Sequence, residues 1–176
     1  MTTFDFGNGP VPAHKHPNGG GWVADTARVA DTAYVGPDAK VFDYAWAYGD
    51  AQVSDNARIS GKAQVFGNAR VFDDARVCSD ALVYGNAQVS GNAWVFENAQ
   101  ASGDARVFDD ARVYGDAKVY GDAQVYGNAW VYHNARTSGK AQVYGNARVY
   151  GKAQVSGDDL VYGGRNGKRY KLVEVE

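Results

Sequence analysis

The chain has 176 residues, 45% hydrophobic and 22% charged, with a formal net charge of −2 at pH 7 and one cysteine, Cys78. That is enough chain for one domain, and the near balance of charge excludes bulk attraction to duplex DNA or to membranes. A lone cysteine excludes an internal disulfide framework and suits a reducing cytosol, so a cytoplasmic protein is expected, and no stretch is long or apolar enough for a membrane-spanning helix.

Residues 1–22, MTTFDFGNGPVPAHKHPNGGGW, combine Phe4 and Phe6 with three prolines and a glycine run. They lack the basic start and apolar run of a signal peptide, so none is expected. The segment reads as an N-terminal capping loop that lays its aromatic side chains over the start of the repeat region beginning at Val23.

From Val23 to Val161 every sixth residue is aliphatic or small, and only Ala47, Ala101 and Thr137 depart from Val or Ile. Four residues after each comes Ala, from Ala27 to Ala153, until Asp159 ends the column. A fixed period without insertions marks a solenoid in which each unit stacks on its neighbours. Within a unit such as Ala69-Arg70-Val71-Phe72, Ala and Val point to one side and the other two residues to the opposite side. Two turn residues complete the unit, as in Gly67-Asn68 or Gly121-Asp122, types that tolerate the left-handed backbone region. The sequence therefore predicts short strands joined by sharp corners, lined by Val and Ala. Residues 162–176 form a C-terminal cap, read as the second half of a hairpin in LVYGGRNGKRYKLVEV with a turn at Gly163–Gly167. A flexible binding tail carrying Arg165, Lys168, Arg169 and Lys171 is the competing reading of the same residues.

The run VYGNAQVSGNAWVFENAQ resembles the hexapeptide-repeat family. That resemblance implies an all-β left-handed parallel β-helix with triangular coils of 18 residues, about 7.7 of them in this chain. The left-handed winding comes from the resemblance alone, because ordinary parallel crossovers are right-handed. The Gly-Asn-Ala-x-Val spelling is similar to that of bacterial and prophage-type repeat proteins. Hexapeptide-repeat relatives are commonly trimers packed side by side, so a homotrimer is implied.

If residues eighteen apart lie one above another, the outward positions sort into three faces. Face one carries the column Trp22, Lys40, Arg58, Arg76, Trp94, Arg112, Trp130, Arg148 and, beside it, Ala24, Phe42, Ser60, Cys78, Phe96, Tyr114, Tyr132, Tyr150. It holds three of the four tryptophans, and no acidic residue occupies an outward strand position on any face. Cations beside rings suit cation–π contacts, and stacked aromatic columns make a platform for a nucleotide, a glycan or another anionic small molecule. Trp, Tyr and Arg are also the residues enriched at subunit interfaces, and a large aromatic face is seldom left open to water. Trp94, Arg112, Tyr114, Trp130, Tyr132, Arg148 and Tyr150 are the candidate binding residues, with self-association the leading use and simple ladder stabilisation the plainest one.

Other chemistry is sparse. The resemblance also implies an acyltransferase alternative, in which a histidine at a subunit cleft acts as general base; His133, in a corner, is the candidate. No loop interrupts the frame to shape an acceptor site. His14 and His16 with His133 superficially resemble the three-histidine zinc site of γ-class carbonic anhydrases. They would lie roughly 30 Å apart in one chain, so no metal and no cofactor are expected, with His14 and His16 the only candidate surface pair. The corner acids Asp38, Asp55, Asp73-Asp74 and Asp109-Asp110 could line up for calcium, although turn chemistry accounts for them. The leading function is a non-catalytic structural or binding protein, an oligomeric prism displaying face one, in a bacterial or phage context.

Overall fold

In the computed structural model, the strands pair with the neighbour eighteen residues away, as the period requires. The structure describes residues 2–164 and the backbone of residues 169–172. Trp22 pairs with Lys40, Lys40 with Arg58, Trp94 with Arg112 and Trp130 with Arg148, all in parallel. Three sheets result, of 10, 8 and 9 strands including the capping strands. The protein is an all-β parallel β-solenoid of about eight coils, with no helix among the described residues, and is consistent with a left-handed β-helix. Backbone N–H groups donate to the next coil, as Trp94 does to the Ala111 carbonyl at 2.9 Å and Phe96 to that of Val113 at 3.0 Å.

The lining follows the sequence frame. From Ala33 to Val143 each Val, Ile and Ala of the frame is fully buried. Each buried valine contributes about 1.5–3 kcal/mol of transfer free energy. Thr137 takes the place of a valine in this lining; it is 0% exposed and its hydroxyl has no hydrogen-bond partner.

The corners show why acids and glycines share them. From Asp43 to Gly157 the first corner residue is left-handed, whether it is Gly115 (φ 72°) or a residue with a side chain such as Asp43 (58°), Glu97 (59°) or His133 (59°). Its N–H lies outside the strand ladder. At five corners an acid eighteen residues earlier accepts that bond: Gly61 N–H to Asp43 at 3.0 Å, Asp73 to Asp55 at 3.3 Å, Gly91 to Asp73 at 2.9 Å, Gly115 to Glu97 at 2.8 Å and Gly127 to Asp109 at 3.1 Å. Asparagines at the second corner position form their own ladder, Asn68 donating to Asn86 and Asn86 to Asp104.

The N-terminal cap differs from the expected loop. β1 (Thr3–Asp5) pairs antiparallel with β2 (Pro10–Lys15), which pairs antiparallel with β3 (Trp22–Ala24). The prolines are compatible with a strand here. Ala13 donates its N–H to Thr2 on the β1 side, and Asp25 donates to the Pro12 carbonyl on the β3 side. An N–H at position 12 would face Asp25, so proline gives up one bond at the end of the pairing, while position 10 lies beyond the residues paired with β3. Asp5 accepts the N–H groups of Gly7 and Gly9 and turns the chain between the two strands. The next segment covers another side: Gly21 donates to Val35, and Val35 to Asn18. β4 (Arg28–Val29) stays an edge strand, whereas β5 (Tyr34–Val35) is the one so covered. At the other end Leu160–Gly163 pairs antiparallel with Arg169–Leu172, the expected hairpin. The side chains of Arg169 and Lys171, and all of Arg165 and Lys168, lie outside the described residues. Antiparallel strands at both ends interrupt the parallel stacking by which β-helices could add end to end.

Candidate functional site

Strand alternation turns the seven candidate binding residues outward on one face, and the eighteen-residue register stacks them in two columns. In the first, cations and rings alternate: Arg76 lies 5.0 Å from the Trp94 centroid, Arg112 is 5.5 Å from Trp94 and 5.1 Å from Trp130, and Arg148 is 4.6 Å from Trp130. In the second, Phe96, Tyr114, Tyr132 and Tyr150 stack at 4.9, 5.0 and 5.4 Å. The columns touch edge-on, Trp94 against Phe96 and Trp130 against Tyr114. Each contact of this kind is worth about 0.5–1 kcal/mol at an exposed site.

Stacking itself is general. Tyr48, Phe66 and Tyr84 stack at 4.8 and 5.0 Å on the second face, and Phe108, Tyr126 and Tyr144 at 4.9 and 5.2 Å on the third. Among the described residues, the alternating Arg–Trp column belongs to face one. Burial within the ladder, then the neighbouring Tyr132, pushes the Tyr114 phenol up from its ordinary value. Tyr126 is raised for the same first reason, then by Tyr144 and Asp109. Both rings therefore present neutral phenols at neutral pH. Burial likewise pushes the Cys78 thiol up, opposed by a hydrogen bond from Ser79 and by Arg76.

The lower coils of face one are covered by the chain itself. Phe4 stacks on Trp22 at 4.4 Å and Phe6 on Phe42 at 4.9 Å. The Arg58 guanidinium donates to the Phe6 carbonyl. Lys15 and Lys40 lie over Trp22 and Phe4. Sequence reasoning placed the aromatic cap over the start of the repeat; the structure places it on the outer surface of face one.

The histidines do not come together. His14 bonds Asp25 through Nδ1 at 2.8 Å, and His16 is buried with Nδ1 against the Asn18 backbone. His133 is an exposed corner residue lying edge-on to Tyr132. Among the described residues no three His, Cys, Asp or Glu side chains converge on a point. The corner acids Asp73 and Asp109, which suggested calcium, instead accept backbone N–H groups of the next coil.

Lining, corners and outward columns define a β-solenoid built of hexads, a repeat protein whose chemistry lies on its outer faces. Residues 51–65, 63–79, 87–103, 105–121, 123–139 and 141–157 match the YdcK β-solenoid repeat. These segments take in more than half of the sequence, and the chain belongs to that family. Solved structures similar to it include a Bacillus cereus protein described as an acetyltransferase, with a TM-score of 0.41 and 14% identity over 82% of this chain and 76% of that one. Another is a hexapeptide transferase family protein from Anaplasma phagocytophilum, with a TM-score of 0.41 and 13% identity over 88% of this chain and 80% of that one. No curated protein matches the sequence.

Proposed function

We propose that this protein is a non-catalytic scaffold of the bacterial or phage cytoplasm, a rigid prism that associates side by side into a homotrimer through face one. On the same face it takes an anionic small molecule, a nucleotide or a glycan. The observation that supports this is the alternating Arg76–Trp94–Arg112–Trp130–Arg148 column beside the Phe96–Tyr150 stack. Flat, aromatic and without acids, it has the composition of an interface core, and its guanidinium groups favour anionic partners. The Gly-Asn-Ala-x-Val spelling supports the link to prophage-type repeat proteins. The net charge of −2 gives neither duplex DNA nor a membrane surface a general attraction.

The test is the solution mass by light scattering. Three chains of 18.9 kDa are expected, and a monomer overturns the assembly. The acyltransferase alternative is tested separately. Acetyl-CoA binding together with acetyl transfer that is lost in His133→Ala would establish it in place of the scaffold; no acetyl-CoA binding, with His133→Ala behaving as wild type, discards it.

A further inference from the structure

The aromatic column of face one has a break. Above Phe42 the next two rungs are Ser60 and Cys78, and rings resume only at Phe96. Three coils separate Phe42 from Phe96, about 14 Å at the usual strand spacing, which leaves room for two rings at the ladder spacing. A cavity of about 340 Å³ occupies this interval, with Phe42 and Trp94 among its walls, Ser60 and Cys78 on its floor, and Arg58 and Arg76 at its side.

The molecule already fills one small rung with a ring from elsewhere. Below Phe42 the rung is Ala24, and there Phe6, 5% exposed, packs with Ala13 and Ala24 and stacks on Phe42 with planes 19° apart. The polar group that accompanies that ring, the Phe6 carbonyl, is held by Arg58. On the other side of Phe42 no second ring stacks among the described residues, although Gly7 and Asn8 of the cap line the cavity. The Arg58 Nε is buried and has no hydrogen-bond partner. Arg58 and Arg76 outnumber the single acid in the lining, Asp43, whose carboxylate is bonded to the Gly61 N–H. Burial keeps the Cys78 thiol neutral, so the floor does not repel a negative charge.

We propose that the interval between Phe42 and Phe96 is a binding site for a planar aromatic anion, whose ring takes the place of the missing rungs and whose negative group meets Arg58 and Arg76. A nucleotide base with its phosphate and a simple aryl phosphate share this chemistry. The site rests on the ligand part of the proposed function and shares Arg76 and Trp94 with the column proposed for assembly; its test reads ligand binding and not mass, so the two readings fail separately.

The experiment titrates the full chain with AMP and with phenyl phosphate by calorimetry, adenosine serving as the uncharged control. Binding of at least one anion is expected, with slower alkylation of Cys78 when it is bound. AMP alone identifies a nucleotide site, and both together identify a general aryl-anion site. Ser60→Phe, which fills a rung, and Arg76→Gln should each weaken binding tenfold or more. Ser60→Phe should also melt at or above the wild type; if it fails to fold, Cys78→Phe replaces it. Arg106→Glu, at an exposed strand position in another sheet, should bind as wild type does, which shows that the loss in Arg76→Gln is local and not an effect of overall charge. Absence of binding by both anions, binding that survives the filled rung, or adenosine binding as tightly as AMP overturns the proposal.

Discussion

Replacing Thr137 by valine should stabilise the protein. The side chain is fully buried in the lining, in register with Val119 in the coil before and Val155 in the coil after, and its hydroxyl has no partner. An unsatisfied buried hydroxyl costs about 1–3 kcal/mol. Valine keeps the β-branched shape, so neither a cavity nor a clash offsets the gain. For a chain of this size each kcal/mol corresponds to about 2–4 °C in Tm. Thermal melts followed by circular dichroism would measure it, with Val119→Thr as the mirror experiment, expected to lose a similar amount. A Thr137→Val protein that melts at or below the wild type refutes the reasoning, because the hydroxyl would then have a partner inside the prism.

Two glycine substitutions separate backbone strain from collision. A Cβ on Gly115 would lie 2.8 Å from the His133 nitrogen, whereas one on Gly151 meets nothing within 4 Å, and both have φ near 70°. Gly151→Ala should cost about 1–2 kcal/mol for the left-handed backbone alone, and Gly115→Ala clearly more; equal losses in denaturant melts would contradict the corner geometry. The raised phenols set a pH limit. Tyr114 and Tyr126 titrate in the folded chain above their ordinary value of 10.0. Their contribution is therefore complete below pH 10 and is lost as pH rises through the raised values. Chemical-denaturation midpoints should accordingly decline in the alkaline range above 10, less so in Tyr114→Phe/Tyr126→Phe; an unchanged decline in that variant would assign it to other groups.

Much of the fold was legible because a single constraint repeats. The Val frame and the Ala column are both consequences of a lining that admits only small side chains, so each hexad restates the architecture. The vertical columns followed once eighteen was taken as the coil, and the Arg–Trp alternation of face one is already visible in the sequence at that spacing. Other features needed geometry. The corner acids looked like turn residues or calcium ligands, because the N–H they accept belongs to the next coil. The trace in the sequence is an acid followed eighteen residues later by glycine, as in Asp43 and Gly61 or Glu97 and Gly115. Pro10 and Pro12 argued against strands at the N-terminus, since nothing local reveals that β2 is held through its other residues and through the Pro12 carbonyl, which accepts from Asp25. The gap at Ser60 and Cys78 stood in the column from the start; only the stacking of Phe6 on Phe42 gives it meaning.

The claim that face one assembles the protein is tested most directly by the solution mass of Arg112→Glu/Arg148→Glu. Each carboxylate would stand beside a tryptophan face now covered by a guanidinium group, turning an attractive contact into a repulsive one across any packed surface. The expected result is a monomer of about 18.9 kDa from a wild type three times that mass. A double variant that keeps the wild-type mass would contradict the account.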